Sequence, residues 1–181
     1  NHRAVLFDST TKVPFLITGG AVPETLRGKR IDTVVDALDV VPTITKIAGT
    51  IPPSHAHGRD LWTAIQEDNL PKNSASFQQG VLGQFSLRNA THRLIFTGSS
   101  LQQKDVADVL TRSEINRDFF ALYDIRTDPL ETHNIIDAQR DIAESMKEQM
   151  VERLQSLNLP NSVESDVPLE LKKALQSRGY W

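Results

Sequence analysis

The chain has no cysteine, which excludes disulfides, thiolate metal sites and a cysteine nucleophile within its 181 residues. That absence does not decide the compartment. Long hydrophobic runs are also missing: hydrophobic residues make up 39%, and no stretch approaches the length needed to span a bilayer. There is no excess of basic charge. Twenty Lys and Arg against 23 Asp and Glu give a formal charge of −3, so the electrostatic footprint of a nucleic-acid binder is absent. No leader-like apolar segment opens the sequence, which starts at Asn1-His2-Arg3 without Met and is expected to be a trimmed or partial chain. Its length is nonetheless enough for a sizeable core.

What is present is organised around residues 33–61, TVVDALDVVPTITKIAGTIPPSHAHGRDL. The stretch is expected to run from a strand end into an amphipathic helix and then a loop. Asp39 is placed to cap the helix by accepting from the Val41 amide, and Pro42 falls in the first turn, where a missing N–H costs nothing. Ala37, Val41, Ile44 and Ala48 recur at helical spacing, and Gly49 supplies a left-handed terminator. His55 and His57 lie two apart, a spacing that in extended chain points both rings one way and could serve zinc. With no further Cys or His nearby in sequence, they read as exposed loop histidines. Upstream, Phe15-Leu16-Ile17 is a continuous apolar run, expected as a strand covered on both faces and closed by Gly19-Gly20. Lys12 reads as a solvated cation, and Asp8 fits either a helix-end cap or a partner to another side chain.

Leu61, Trp62 and Ile65 predict a short helix packed by one face, and residues 67–76 a polar linker. From Val81 the period changes to two. Residues 81–88 and 91–96 predict a hairpin around Asn89-Ala90. Residues 104–113 predict a helix with Val106, Val109 and Leu110 on one face, and residues 119–125 a strand. An Asp128-Pro129 turn then leads to a helix capped by Asp137, with Ile142, Met146, Met150, Leu154 and Leu157 as its buried stripe. Asp124, Asp128 and Glu131 invite a metal hypothesis, but turn and capping roles account for each. Leu169, Leu171 and Leu175 predict a last short helix.

Four ordered blocks carry a family resemblance. Residues 6–15, LFDSTTKVPF, resemble the L-Y-E-E-S-T-R-V-P-L of the sulfatases. Residues 37–49 resemble their H-V-D-L-L-P-T-L-L-D-L-A-G, with Ala37 at the histidine, and residues 57–61 the D-G-R-S-L loop that follows. Residues 81–95 are similar to the hairpin V-R-T-G-R-Y-K-L-I, with Arg88 at its arginine. Residues 122–135, LYDIRTDPLETHNI, resemble L-Y-D-L-x-x-D-P-x-E-x-x-N-L, and the final residues an L-R-x-L-G-Y ending.

The resemblance implies an α/β fold: the C-terminal part of an alkaline-phosphatase-like sulfatase, ending in a small antiparallel sheet with packed helices. Residues 1–76 would close the large catalytic domain and residues 77–181 would form the small C-terminal subdomain. It also implies hydrolysis of sulfate esters through a formylglycine made from a C/S-x-P-x-R motif, beside a divalent cation, usually Ca2+. Neither that motif nor an Asp-Asp pair occurs here, so both groups would come from upstream sequence. The implied substrate is a sulfated small molecule or glycan, and the implied compartment periplasmic, secreted or lysosomal. Arg3 lies three residues before Leu6, where the family carries a sulfate-contacting lysine, and His2 has a weaker claim of the same kind. Two alternatives stay open: a phosphodiesterase or phosphonate hydrolase of the same superfamily, and a non-catalytic sulfatase-like binding protein, suggested by Ala37 and Arg3.

Overall fold

The computed structural model describes residues 6–80, 83–98 and 103–156. Its centre is a four-stranded antiparallel sheet in the order β1-β2-β3-β4, built from Ser76–Gln79, Gln84–Arg88, His92–Thr97 and Phe120–Asp124. The expected hairpin is β2 and β3, with Arg88 opposite Arg93 and Phe85 opposite Phe96. Its turn is set by Asn89, whose Oδ1 accepts from the amides of Thr91 and His92 at 2.8 and 2.7 Å. β1 falls at the junction where the sequence predicted a polar linker. Ser76-Phe77-Gln78-Gln79 has too little apolar content to read as a strand; its pairing with β2 decides the matter.

The register gives the sheet two unlike faces. Phe85, Leu87, Leu94, Phe96, Phe120 and Leu122 point one way and form a core with Leu110, Ile115, Ala143, Met146 and Met150. Ile115 lies in the loop after α4; the others come from helices α4 (Gln103–Arg112) and α5 (Arg140–Ser156), which pack on each other, while α5 also packs on β2 and β3. The expected stripe of α5 is therefore buried at Met146, Met150 and Leu154. Its start was misplaced: the helix begins at Arg140, and Asp137 is an exposed partner of Arg117 rather than a cap. Leu157 and the expected helix over 169–175 lie outside the described residues.

The other face carries Ser76, Gln78, Ser86, Arg88 and Arg93 together with Ile95, Ala121 and Tyr123, and residues 6–11 lie against it. Helix α1, Asp8–Thr11, is a single turn. The strand expected at residues 13–17 does not form. Val13 and Leu16 are 72% and 82% exposed, because among the described residues no neighbouring strand offers them a ladder or a cover.

The motif region folds as a 3-10 turn, Ala37–Asp39, running into α2, Val40–Ile47, with α3, Leu61–Gln66, packed against it. The strand end expected at the start of this region does not form, and residues 31–35 lead directly into the 3-10 turn. Gly49 ends α2 at φ +68°, as expected. The expected apolar stripe is there but it is outward: Val41 and Ile44 are exposed, whereas Pro42 and Thr43 are buried.

Candidate functional site

Two clusters of charged side chains fasten the family-like blocks together, and each is built from residues far apart in sequence. The first is centred on Asp39. The capping role belongs instead to Asp36, whose Oδ1 accepts from the Leu38 amide at 3.1 Å. The Asp39 carboxylate returns to the Asp36 amide at 2.9 Å, completing a capping box. It also accepts from the Arg59 amide at 2.7 Å and from the guanidinium Nη2 at 2.6 Å. Burial alone would push the Asp39 carboxyl up; Arg59 and the two amides outweigh it and hold the group below the ordinary range. Arg59 also donates to Ser74.

Thr43 completes the lock. Its hydroxyl donates to the Asp39 carbonyl at 2.6 Å and accepts from the Leu61 amide at 3.1 Å. Gly58 stands so close to the 3-10 turn that a Cβ there would fall 1.9 Å from the Leu38 carbonyl oxygen. Asp36 reaches further, its Oδ2 accepting from the Phe77 amide at 3.0 Å on the edge strand β1. His55 and His57 are exposed in the same loop, as expected.

The second cluster lies on the other face of the sheet. Arg93 is 0% exposed at its centre. Its Nη1 donates to the Leu6 carbonyl, and to Gln78 Oε1 and Ser86 Oγ at 3.0 Å each. Nη2 donates to Asp8 and, at 3.2 Å, to Thr11 Oγ1. Arg88 Nε donates to the same Asp8 carboxylate at 2.9 Å. Glu131 Oε2 accepts from the Asp8 amide at 2.6 Å, and Oε1 lies 2.6 Å from Arg93 Nε. That last contact is close but poorly aligned for a hydrogen bond, so its attraction is chiefly Coulombic. Phe7 seals the edge against Tyr123, ring centroids 5.6 Å apart in an edge-to-face contact.

The two carboxylates diverge. Burial pushes Asp8 up, but Arg88 and Arg93 together hold its carboxyl below the usual range. Burial dominates at Glu131, helped by the nearby Asp8 charge, and raises its pKa despite Arg93. Glu131 also sits at φ +54°, a left-handed conformation held in place by the Asp128 turn, where Asp128 Oδ2 accepts from the Thr132 and His133 amides at 2.8 Å. Asp124 pairs instead with Arg126, which holds its carboxyl at about 2. The three acids of this block thus serve an ion pair, a turn and a buried anchor. Among the described residues, no group of three or more His, Asp or Glu is placed to hold a metal ion.

Arg3 and His2, the residues singled out for sulfate contact, lie outside the described residues. What sequence reasoning missed is the Arg93 hub, built from residues far apart in the chain. The signal was available: an arginine inside His92-Arg93-Leu94-Ile95-Phe96, where a charge flanked by apolar strand residues implies a buried partner.

The chain is thus an α/β unit, a two-faced antiparallel sheet with helices on one face and the family-like segments bolted to the other, as the sulfatase resemblance implies. The family model described as N-sulphoglucosamine sulphohydrolase, C-terminal, matches residues 2–159, and the chain belongs to that family. A solved structure agrees on the fold. A Bacteroides thetaiotaomicron 4S-sulf protein, solved in work on the metabolism of multiple glycosaminoglycans, is 16% identical with a TM-score of 0.52; the match covers 86% of this chain and 32% of that one. The chain is also similar to a putative sulfatase of Bacteroides fragilis (18% identity, TM-score 0.49, 67% and 25% of the two chains). A protein solved with its substrate D-glucosamine-2-N,6-O-disulfate is 21% identical, with a TM-score of 0.42 over 70% and 25% of the chains. The chain therefore spans about a quarter to a third of the length of these relatives. No curated protein sequence matches it.

Proposed function

We propose that the full-length protein is a sulfohydrolase that releases sulfate from a sulfated small molecule or glycan, with an N- or O-sulfated glucosamine as the first substrate class to test. The observation that carries this reading is the family match over residues 2–159. In that reading Arg3 supplies a cationic contact to the sulfuryl group, with His2 beside it in sequence as a lesser contributor. A guanidinium offers a tetrahedral anion a fork of donors where an ammonium offers a point charge.

Formylglycine and Ca2+ belong to upstream sequence. The described residues supply no metal-ligating group and the chain has neither Cys nor the Ser-x-Pro-x-Arg precursor, so neither fits here and no step is routed through them. The contribution of these residues is to hold the segment that bears Arg3 and the α2 motif in fixed relation to the small sheet. A periplasmic, secreted or lysosomal compartment goes with the same reading.

The test is turnover by full-length protein supplied with calcium. Sulfate release from glucosamine N-sulfate or p-nitrophenyl sulfate is expected, with bis-p-nitrophenyl phosphate hydrolysed far more slowly. Preference for the phosphodiester would establish the phosphodiesterase alternative instead. Failure on every ester and sulfamate, with an intact aldehyde, would establish a binding protein.

A further inference from the structure

In the Arg93 cluster two carboxylates face two guanidiniums, but the bonds are divided unequally. Asp8 takes directional bonds from both cations, through Arg88 Nε at 2.9 Å and through Arg93 Nη2. Glu131, whose side chain is 2% exposed, accepts a single hydrogen bond among the described residues, from the Asp8 amide at 2.6 Å. Its Oε1 and the Arg93 Nε beside it are both buried without a hydrogen-bond partner. An ionised carboxylate has about four acceptor sites, and burying it with most of them empty is costly. Rotation offers no relief. The Glu131 backbone is held at φ +54° by the Asp128 turn, and the Asp8 backbone lies against the carboxylate. Two ways out remain: Glu131 takes up a proton, or the segment bearing Asp8 lifts and admits water.

The charged and titratable groups that face Glu131 are Asp8 from α1, Arg88 from β2, Arg93 from β3 and Tyr123 from β4. Tyr123 stays a neutral phenol, pushed up by burial and then by the Glu131 and Asp128 charges. Burial, joined by the like charge of Asp8, outweighs the guanidiniums and raises the Glu131 carboxyl.

We propose that Glu131 is a proton-operated latch: protonated, it favours closure of residues 6–11 on the small sheet, and ionised, it favours their release. When the segment lifts, Glu131 is hydrated and returns to its ordinary value of 4.5, so the closed form binds the proton more readily. Acidification therefore favours closure, and this contribution is lost as pH rises through the closed-state value. Asp8 sets the opposite limit. Its carboxyl is held low in the closed form, so its contribution is complete above the ordinary 3.8 and is lost as pH falls through the closed-state value. The grip is strongest in the mildly acid band between the two.

Hydrogen exchange of the peptide spanning residues 6–11, in the full-length protein and corrected for the pH dependence of intrinsic exchange, reads the latch. Protection in the wild type should rise from pH 7 to pH 5, by at most about tenfold per pH unit, the limit for one proton. Glu131→Gln is a neutral isostere that keeps an acceptor for the Asp8 amide. It should be better protected than wild type at pH 7 and show a flat profile down to pH 5. Asp8→Asn removes the like charge beside Glu131; it should shrink the wild-type rise and serves if Glu131→Gln does not fold. Weaker protection in Glu131→Gln than in wild type at pH 7 would make the contact with Arg93 a net support and overturn the latch. Wild-type protection that does not change with pH, or a rise that persists unaltered in both variants, would overturn it as well.

Discussion

Two residues can be tested by themselves. Arg3 is assigned by its distance from Leu6 in the family-like block, and it carries the direct contact to substrate in the proposed reaction. If it meets charge that builds on the sulfuryl oxygens, Arg3→Ala should lower kcat by on the order of 10²–10³ with a smaller change in KM. Arg3→Lys should recover much of it. Steady-state kinetics on the full-length protein reads both, and equal rates for all three forms would refute the contact. Gly58 is tested by stability instead. Its φ is ordinary, so the constraint is space: the added Cβ meets the backbone of Leu38 and Asp39, not a side chain that can swing away. Gly58→Ala should therefore cost at least about 1–3 kcal/mol, the usual penalty of overpacking, seen as a lower urea midpoint. An unchanged midpoint would mean the loop is not seated against the 3-10 turn.

At the scale of elements, the block around α2 shows why some of the fold could be read and some could not. The helix, Pro42 in its first turn and Gly49 after its end follow from local rules. The role of Asp39 does not, because its partner Arg59 is 20 residues away and nothing local announces the pairing. Helical spacing likewise found the stripe of Val41 and Ile44 but could not say that the polar Thr43 would turn inward, to be satisfied by the Leu61 amide. The hairpin and α5 were legible because alternation and a helical stripe are local signals; β1, short and polar, was not. The pairing itself gives a pH dependence. Asp39 and Asp8 both have carboxyl pKa values held below the ordinary 3.8 in the fold, so the unfolded chain takes up their protons first on acidification. Their contribution is present in full above about pH 4 and is lost as pH falls through the folded values. Arg59→Met removes the partner and should destabilise by about 2–3 kcal/mol at neutral pH, below the roughly 3–5 of a fully buried pair, because Arg59 is 38% exposed. Urea midpoints of the full-length protein between pH 7 and pH 3 should fall less steeply for Asp39→Asn than for wild type; parallel curves would count against the assignment.

For the whole molecule, the decisive feature is where apolar surface remains uncovered. The core between the sheet and α4–α5 is closed, with Leu94, Phe96, Leu110 and Leu122 at 0% exposure. Val13, Phe15, Leu16, Leu38, Val41 and Ile44, by contrast, stay open to solvent, all in the first third of the chain. The sequence reads residues 15–17 as a strand covered on both faces; the structure instead leaves their neighbourhood as exposed apolar side chains. Burying a side chain of this size is worth about 1.5–3 kcal/mol, so leaving several in water favours contact between copies. The 181 residues expressed alone should therefore self-associate at micromolar concentration, read by sedimentation velocity. Leu16→Lys with Ile44→Lys should reduce that association without loosening the sheet, since neither side chain belongs to its core. In the full-length protein the same pair should act in the opposite sense and lower Tm, because upstream sequence is expected to lie on this face and a charge would then be buried. A monomeric, cooperative melt of the unaltered chain, together with no loss of Tm for the pair in the full-length protein, would show that this face is simply solvent-facing.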